Sequence, residues 1–255
     1  MLENIEIKRK TPYLCMGVAG SGGAGKTHFA LAAPKLKVAM VQTEVQGQMT
    51  KENVEIMGRM NPGSRVFRPE TWEDIIAIMN AGQWIVDTFD VFGLDTSDDI
   101  EEMAARSYCA KLKVASLSDT NDHGKSYDKV RQMVEAFWVW LRDLPIHKVI
   151  LCHYTVSVIQ GDGDDDGTRM FQIKTIFTKK GHDMLVTKLN VFGLLQFKDL
   201  GGDKSKRELY FRSTQSRQFK KPPYLGDVEE ADLETILKKH VEYYRAQPAA
   251  QKVTK

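Results

Sequence analysis

Gly20-Ser21-Gly22-Gly23-Ala24-Gly25-Lys26-Thr27 fits G-x-x-x-x-G-K-[ST] at every fixed position. A loop that wraps a row of phosphates must turn several backbone N–H groups inward, and glycines permit the φ values and the close approach this requires. The lysine of such a loop reaches the β- and γ-phosphates, and its threonine hydroxyl suits Mg²⁺. The flanks agree. Tyr13-Leu14-Cys15-Met16-Gly17-Val18 reads as a short buried strand, and residues 27–33 read as a helix stopped by Pro34. Strand, glycine loop and helix are the setting this motif needs, with the helix start facing the anion.

Working outward, further apolar runs alternate with helical patterns. Val38-Ala39-Met40-Val41 is a second short strand, running into Gln42-Thr43-Glu44, and Val66-Phe67 a third. Thr71, with Asp74 three residues on, opens a helix whose apolar face is Trp72, Ile75, Ile76 and Met79. Gly82 is its expected stop, and Trp84-Ile85-Val86-Asp87 is read as the next core strand. Residues 98–111 look helical. A long helix begins at Ser126, with Tyr127, Val130, Val134, Phe137, Trp138 and Leu141 at 3–4 spacing, and Pro145 ends it. Lys148 to His153 is another buried strand. Helix followed by buried strand, repeated, predicts an α/β fold with a largely parallel sheet. After residue 155 the pattern changes. It reads as a hairpin around an acidic tip, a short helix over 182–189, strands over 191–197 and 208–212 about Gly201-Gly202, and an amphipathic helix over 232–244. One domain over residues 1–246 and a disordered tail over 247–255 are expected.

The 255 residues are 42% hydrophobic, enough for a full core, and carry a net charge of +2. That balance demands neither nucleic acid nor a membrane. No apolar run is long enough to span a bilayer, and residues 1–12 lack a signal-peptide core. Three cysteines, Cys15, Cys109 and Cys152, form no disulfide framework and are expected to be reduced and buried, as in a cytoplasmic protein.

Several residues are candidates for chemistry beside the loop. Asp87, ending an apolar run, would place a carboxylate at the carboxyl edge of the sheet, where Mg²⁺ sits. Thr88 would hold a water there, and Asp90 is the second choice. Glu44, just past the second strand, is positioned to orient the water that attacks a γ-phosphate. His153, at the end of its strand, is positioned to contact that phosphate. Asp162 to Gly167 imitates the start of a calcium loop, but its twelfth position is Ile173 instead of a bidentate Glu, so calcium is excluded. Lys174, Phe177, Lys179 and Lys180 mix positive charge with an aromatic, a pattern that can hold single-stranded nucleic acid and that an ordinary charged loop also shows. Arg217, Lys220 and Lys221 lie on a late loop, read equally as a solvated basic loop or as candidates to act across a subunit interface.

These pieces, in this order, resemble the RecA-like ATPases, and most of all the small phage-encoded RecA-core ATPases associated with single-strand annealing and recombination. The resemblance runs over residues 12–240. It rests on Gly20 to Thr27, Val41 to Glu44, Ile85 to Thr88, Ile150 to His153 and Arg217 to Leu237. It implies a RecA-like P-loop core: a mostly parallel sheet flanked by helices, with a late antiparallel extension and a C-terminal helix. It implies ATP and Mg²⁺ as cofactors, Gly20 to Thr27 as the nucleotide loop, Lys26 and Glu44 as catalytic groups and Thr27 with Asp87 as the metal side. His153 becomes the γ-phosphate sensor, and Arg217, Lys220 or Lys221 the trans-acting group. It further implies a homo-oligomer, ring or filament, on single-stranded DNA in the host cytoplasm, with residues 155–172 and 174–187 as DNA loops. The sequence departs from the pattern at Gln42, where many relatives have Asp, and at Tyr154, where phage relatives have Glu. Four aspartates in the first DNA loop repel phosphate. These departures bear on strand exchange more than on the nucleotide site. A P-loop phosphotransferase and a nucleotide-gated assembly protein remain as alternatives.

Overall fold

The structure is a computed structural model that describes residues 12–43, 61–159, 168–173, 179–200, 205–211 and 219–247. Strand β1 (Cys15–Ala19) leads through the glycine loop into helix α1 (Lys26–Leu31). Strands β2 (Val38–Gln42) and β3 (Arg65–Phe67) precede helices α2 (Trp72–Asn80) and α3 (Gly82–Thr88). Strand β4 (Val91–Asp95), helix α4 (Ser97–Leu112), helix α5 (Lys125–Asp143) and strand β5 (His147–Cys152) complete the nucleotide-loop half. The hairpin β6 (Tyr154–Ile159) and β7 (Thr168–Ile173) follows, then α6 (Lys179–Lys188), β8 (Val191–Asp199), β9 (Ser205–Tyr210), β10 (Val228–Glu230) and α7 (Leu233–Ala246).

Eight strands form one sheet in the order β10-β9-β8-β1-β5-β4-β2-β3, and β6 pairs with β7 apart from it. From β8 to β3 every pairing is parallel, whereas β9 and β10 are antiparallel additions at one edge. The expected mostly parallel sheet with a late antiparallel extension and a closing helix is therefore present. Every residue of β1, β2 and β4 is buried, as parallel strands covered on both faces must be. Alternate residues divide between two cores. Ala39, Val41, Phe92, Leu94 and Ile150 face the layer built from α2 to α6. Val38, Met40, Val91, Val149 and Leu151 face α1 and α7. Phe92 and Phe137 are fully buried, so truncating either to Ala would cost about 3–5 kcal/mol.

Gly93, in the middle of β4, is explained by its neighbour. Met40 is its register partner on β2, and a Cβ on Gly93 would lie 2.7 Å from Met40 Cε. The Thr71 start is as read: its hydroxyl accepts from Asp74 N, and the Asp74 carboxylate accepts from Thr71 N. The three cysteines are free and buried. Among the described residues, no helix is long and apolar enough to cross a membrane.

One element differs from the sequence reading. Residues 84–87 are not a core strand but part of α3. Gly82 does not stop α2 with a left-handed turn. Ala81 keeps φ −81° and ψ 7°, and a second helix starts at once. Gly82, Ile85 and Phe89 are buried while Gln83, Trp84 and Asp87 are exposed, the 3–4 spacing of a helix with one face on the core. The core strand is the next segment, Val91 to Asp95, and residues 82–88 form the helix that leads into it.

Candidate nucleotide site

The carboxyl ends of β1, β5, β4 and β2 lie level. Ala19 pairs with Cys152, Leu151 with Asp95, and Asp95 with Gln42. In an open parallel sheet this edge is where ligands bind, because the loops leaving the strands there enclose a crevice. The glycine loop crosses it, and Gly20 N donates to Cys152 O at 3.2 Å, tying the loop to the end of β5. Gly23 and Gly25 have φ of 76° and 83°, values that L side chains rarely adopt, so the loop's course depends on glycine at those positions.

Lys26 is buried, and its ammonium donates to Gly20 O and Ser21 O, both at 3.0 Å. The charge is thus held inside the curve of its own loop. The Thr27 hydroxyl donates to Asp95 Oδ2 at 2.6 Å. Asp95 ends β4 and is 2% exposed. Asp95, not Asp87, is the carboxylate beside the loop. Asp87 sits on the exposed face of α3 with its Oδ1 accepting from Gln83 Nε2 at 2.9 Å. Asp90 is also elsewhere: it precedes β4, at the opposite sheet edge, and accepts from Lys37 N at 2.8 Å.

The edge is closed by a polar network that the sequence reading did not name. Thr43, at the end of β2, donates through N to Asp95 O at 2.8 Å and through its hydroxyl to Thr96 O at 2.8 Å. The same hydroxyl accepts from Thr96 N at 3.0 Å. Thr96 is the N-cap residue of α4. Asp98, in the first turn of α4, meets His153: Oδ2 lies 3.1 Å from Nδ1, and Oδ1 accepts from His153 N at 3.5 Å. Burial pushes the Asp98 carboxyl up. The hydrogen bond and charge of His153, with a hydrogen bond from Thr96, outweigh that and leave it below the usual carboxylate range. Engaging Nδ1 fixes the orientation of the His153 ring at the end of β5. A signal for Asp95 and Asp98 was available: Val91-Phe92-Gly93-Leu94-Asp95 is an apolar run ending in Asp, followed at once by a Thr-Ser-Asp-Asp helix start.

The remaining candidates scatter. Glu44, Lys174, Phe177 and Arg217 lie outside the described residues, as does the acidic tip over 160–167. Lys179 and Lys180 open α6. Lys220 Nζ donates to Val186 O at 2.6 Å and to Leu189 O at 3.1 Å, satisfying carbonyls at the end of α6. Lys221 pairs with Asp227. Both lysines thus have partners within the chain.

A family model described as an AAA domain matches residues 13–221. The chain belongs to the AAA domain family. The P-loop Gly20 to Thr27, the sheet edge and the Thr27–Asp95 contact all fall inside the matched span, and the chain is a P-loop ATPase domain of this family. No curated protein matches the sequence. Among solved structures, a KaiC-like protein from the hyperthermophilic archaeon Pyrococcus horikoshii OT3 aligns with a TM-score of 0.43 and 9% identity, over 78% of each chain.

The residues of this AAA domain suit Mg²⁺ with a nucleotide. No cluster of three His, Cys, Asp or Glu among the described residues is arranged to hold a metal by itself. A dication here would be held by Thr27, by Asp95 directly or through water, and by phosphate oxygens, the sparse protein set Mg²⁺ favours.

Proposed function

We propose that the protein binds ATP with Mg²⁺ at Gly20 to Thr27, hydrolyses it to ADP and phosphate, and uses the cycle on single-stranded DNA as a homo-oligomer. The observation that carries the nucleotide part is the 2.6 Å bond from the Thr27 hydroxyl to Asp95, which joins the glycine loop to a buried carboxylate at the carboxyl edge. Lys26 neutralises the β- and γ-phosphates and so favours the charge that builds on the leaving oxygen. Mg²⁺, when bound, screens the same oxygens, and Thr27 and Asp95 would hold it. Thr43 follows β2 at this edge, so Glu44, the next residue, is our choice for the base that takes a proton from the attacking water. The water oxygen bonds to the γ-phosphorus as the bond to the β–γ bridging oxygen breaks. His153, held by Asp98, is our choice for the group that responds to loss of the γ-phosphate.

The DNA part rests on the resemblance to phage-type recombination ATPases and on one feature of the chain's course. The hairpin of β6 and β7 starts at Tyr154, directly after His153. A change at the phosphate is therefore passed by a single peptide bond into a segment outside the main sheet. Lys174, Phe177, Lys179 and Lys180 follow that hairpin in sequence and are the proposed contacts. The cytoplasm of a host cell is the compartment this reading expects.

The test is ATP turnover by the full chain with and without single-stranded DNA, with its mass measured with and without nucleotide. Turnover that Lys26→Ala abolishes, that rises with single strands, and that accompanies a nucleotide-dependent increase in mass is expected. Unchanged nucleotide affinity and turnover in Lys26→Ala would overturn the ATPase reading. Turnover that ignores single strands, with no binding of them, would overturn the DNA reading and leave the ATPase.

A further inference from the structure

The glycine loop has a second neighbour on the side away from Asp95. In the sheet order, β4 with Asp95 lies beyond β5 on one side of β1, and β8 and β9 lie on the other. Arg207 of β9 reaches the loop from that second side. A Cβ on Gly25 would lie 2.6 Å from Arg207 Nε and 3.0 Å from its Cζ, so the guanidinium rests on the bare Cα of the glycine just before Lys26. Beneath it, Phe197 of β8 is the direct register partner of Arg207, and the guanidinium carbon lies 5.4 Å from the ring centroid. Phe197 is 49% exposed, so the pair forms a shelf at the surface and not a core contact.

Two further observations bear on what the shelf is for. Arg207 Nε is buried and has no hydrogen-bond partner among the described residues. A buried guanidinium donor without a hydrogen bond is costly, and in a native fold such a group calls for a functional explanation. Arg207 also adds to the positive charge beside the loop: Lys26 follows Gly25 directly, and the Arg207 charge is felt at His28, which burial first and then Arg207 hold below its usual range and so keep neutral at pH 7. Two cations, Lys26 and Arg207, beside one glycine loop are stabilised together by an anion.

We propose that Arg207 is a nucleotide-binding residue acting within its own subunit, its guanidinium, steadied on Phe197, holding the α-phosphate end of the bound nucleotide. The proposal rests on the nucleotide reading of Gly20 to Thr27. The side of approach selects the α-phosphate end: Thr27 and Asp95 define the Mg²⁺ and γ-phosphate side, and the α- and β-phosphates lie along the loop's own N–H groups toward the nucleoside. Arg suits the task because its planar donors meet two phosphate oxygens at once and its face stacks on an aromatic ring. Phe197 and Arg207 are far from the loop in sequence, and antiparallel pairing of β8 with β9 is what delivers them.

The experiment measures ADP and ATP affinity by calorimetry, with Mg²⁺ present, for the wild-type chain, Arg207→Ala and Arg207→Gln. Gln keeps part of the stem over Phe197 and removes the charge, so it reports even if the alanine variant fails to fold. Both nucleotides carry the α-phosphate, so both should bind about ten- to hundred-fold more weakly, and by the same factor. Phe197→Leu should weaken both by a smaller common factor. Wild-type ADP affinity in a folded Arg207 variant would overturn the proposal and leave the P-loop reading intact. A loss confined to ATP would overturn it too, because Arg207 would then act on the γ-phosphate. A wild-type chain that binds neither nucleotide would overturn both readings.

Discussion

Replacing Asp95 by Asn separates the carboxylate that serves the nucleotide from the one that merely resembles it in sequence. Asn keeps the shape of the side chain and an oxygen for the Thr27 hydroxyl, now 2.6 Å from Asp95 Oδ2, but removes the negative charge. A hydrogen bond to a charged group contributes about 1.5–3 kcal/mol and a neutral one about 0.5–1.5 kcal/mol, so the direct loss at Thr27 is about 1–2 kcal/mol. Loss of the charge that would help hold the metal adds to this in the transition state, where such a metal is worth several kcal/mol. Together the variant should lose about 3–4 kcal/mol of transition-state stabilisation, or about 10²–10³ in kcat. The comparison is Asp87→Asn. Asp87 is exposed and its carboxylate accepts from an exposed Gln83, so that variant should change stability by less than about 0.5 kcal/mol and leave turnover as it was. Steady-state phosphate release at saturating ATP and Mg²⁺ measures both, with thermal unfolding as a control for folding. Wild-type turnover in Asp95→Asn, or equal damage in Asp87→Asn, would refute the assignment of the carboxylate.

Three further outcomes are expected. Glu44→Gln should bind ATP but hydrolyse it about 10²–10⁴-fold more slowly, as seen by single-turnover chase, and near-normal hydrolysis would mean another group orients the water. Lys220→Ala leaves the carbonyls of Val186 and Leu189 without their cationic donor, so it should lower stability by about 1–3 kcal/mol in denaturant titration. An unchanged midpoint would remove Lys220 from the support of α6. His147 Nδ1 accepts from Leu14 N at 3.0 Å, and burial, then the charges of His240 and Lys148, lower its pKa to about 4. The unfolded chain takes up a proton near pH 6.5 that the folded chain refuses until about 4, so this contribution is complete above 6.5 and is lost as pH falls through that window. Unfolding followed from pH 7 to 4 should show this slope, and a stable His147→Gln variant with the same slope would assign it elsewhere.

The nucleotide loop was legible because its meaning is local. Eight consecutive residues carry the φ freedom, the ammonium and the hydroxyl, and no distant partner is needed to recognise them. The alternation of buried runs with 3–4-spaced helices was legible for a similar reason, since burial on both faces of a parallel strand imposes an unbroken apolar run. The hairpin, the closing helix and the capped start at Thr71 also depend on neighbours in sequence.

What failed was the choice between two adjacent apolar runs that each end in Asp. Trp84-Ile85-Val86-Asp87 has the stronger β-forming residues, while Val91 to Asp95 is interrupted by Gly93. Local propensity favoured the first, and packing decided for the second. Residues 82–88 have only one face against the core and wind as a helix, whereas Val91 to Asp95 is inserted between β2 and β5 and buried throughout. Gly93 looked like an interruption and is in fact the space that Met40 fills. The same holds for the partners of the site. Asp98 reaches His153 across 55 residues, and Arg207 reaches Gly25 from a strand laid down late in the chain. The sequence by itself determined that a phosphate loop sits at the end of a buried strand. Strand order alone decided which carboxylate, histidine and arginine surround it, because those contacts join residues that only the sheet brings together.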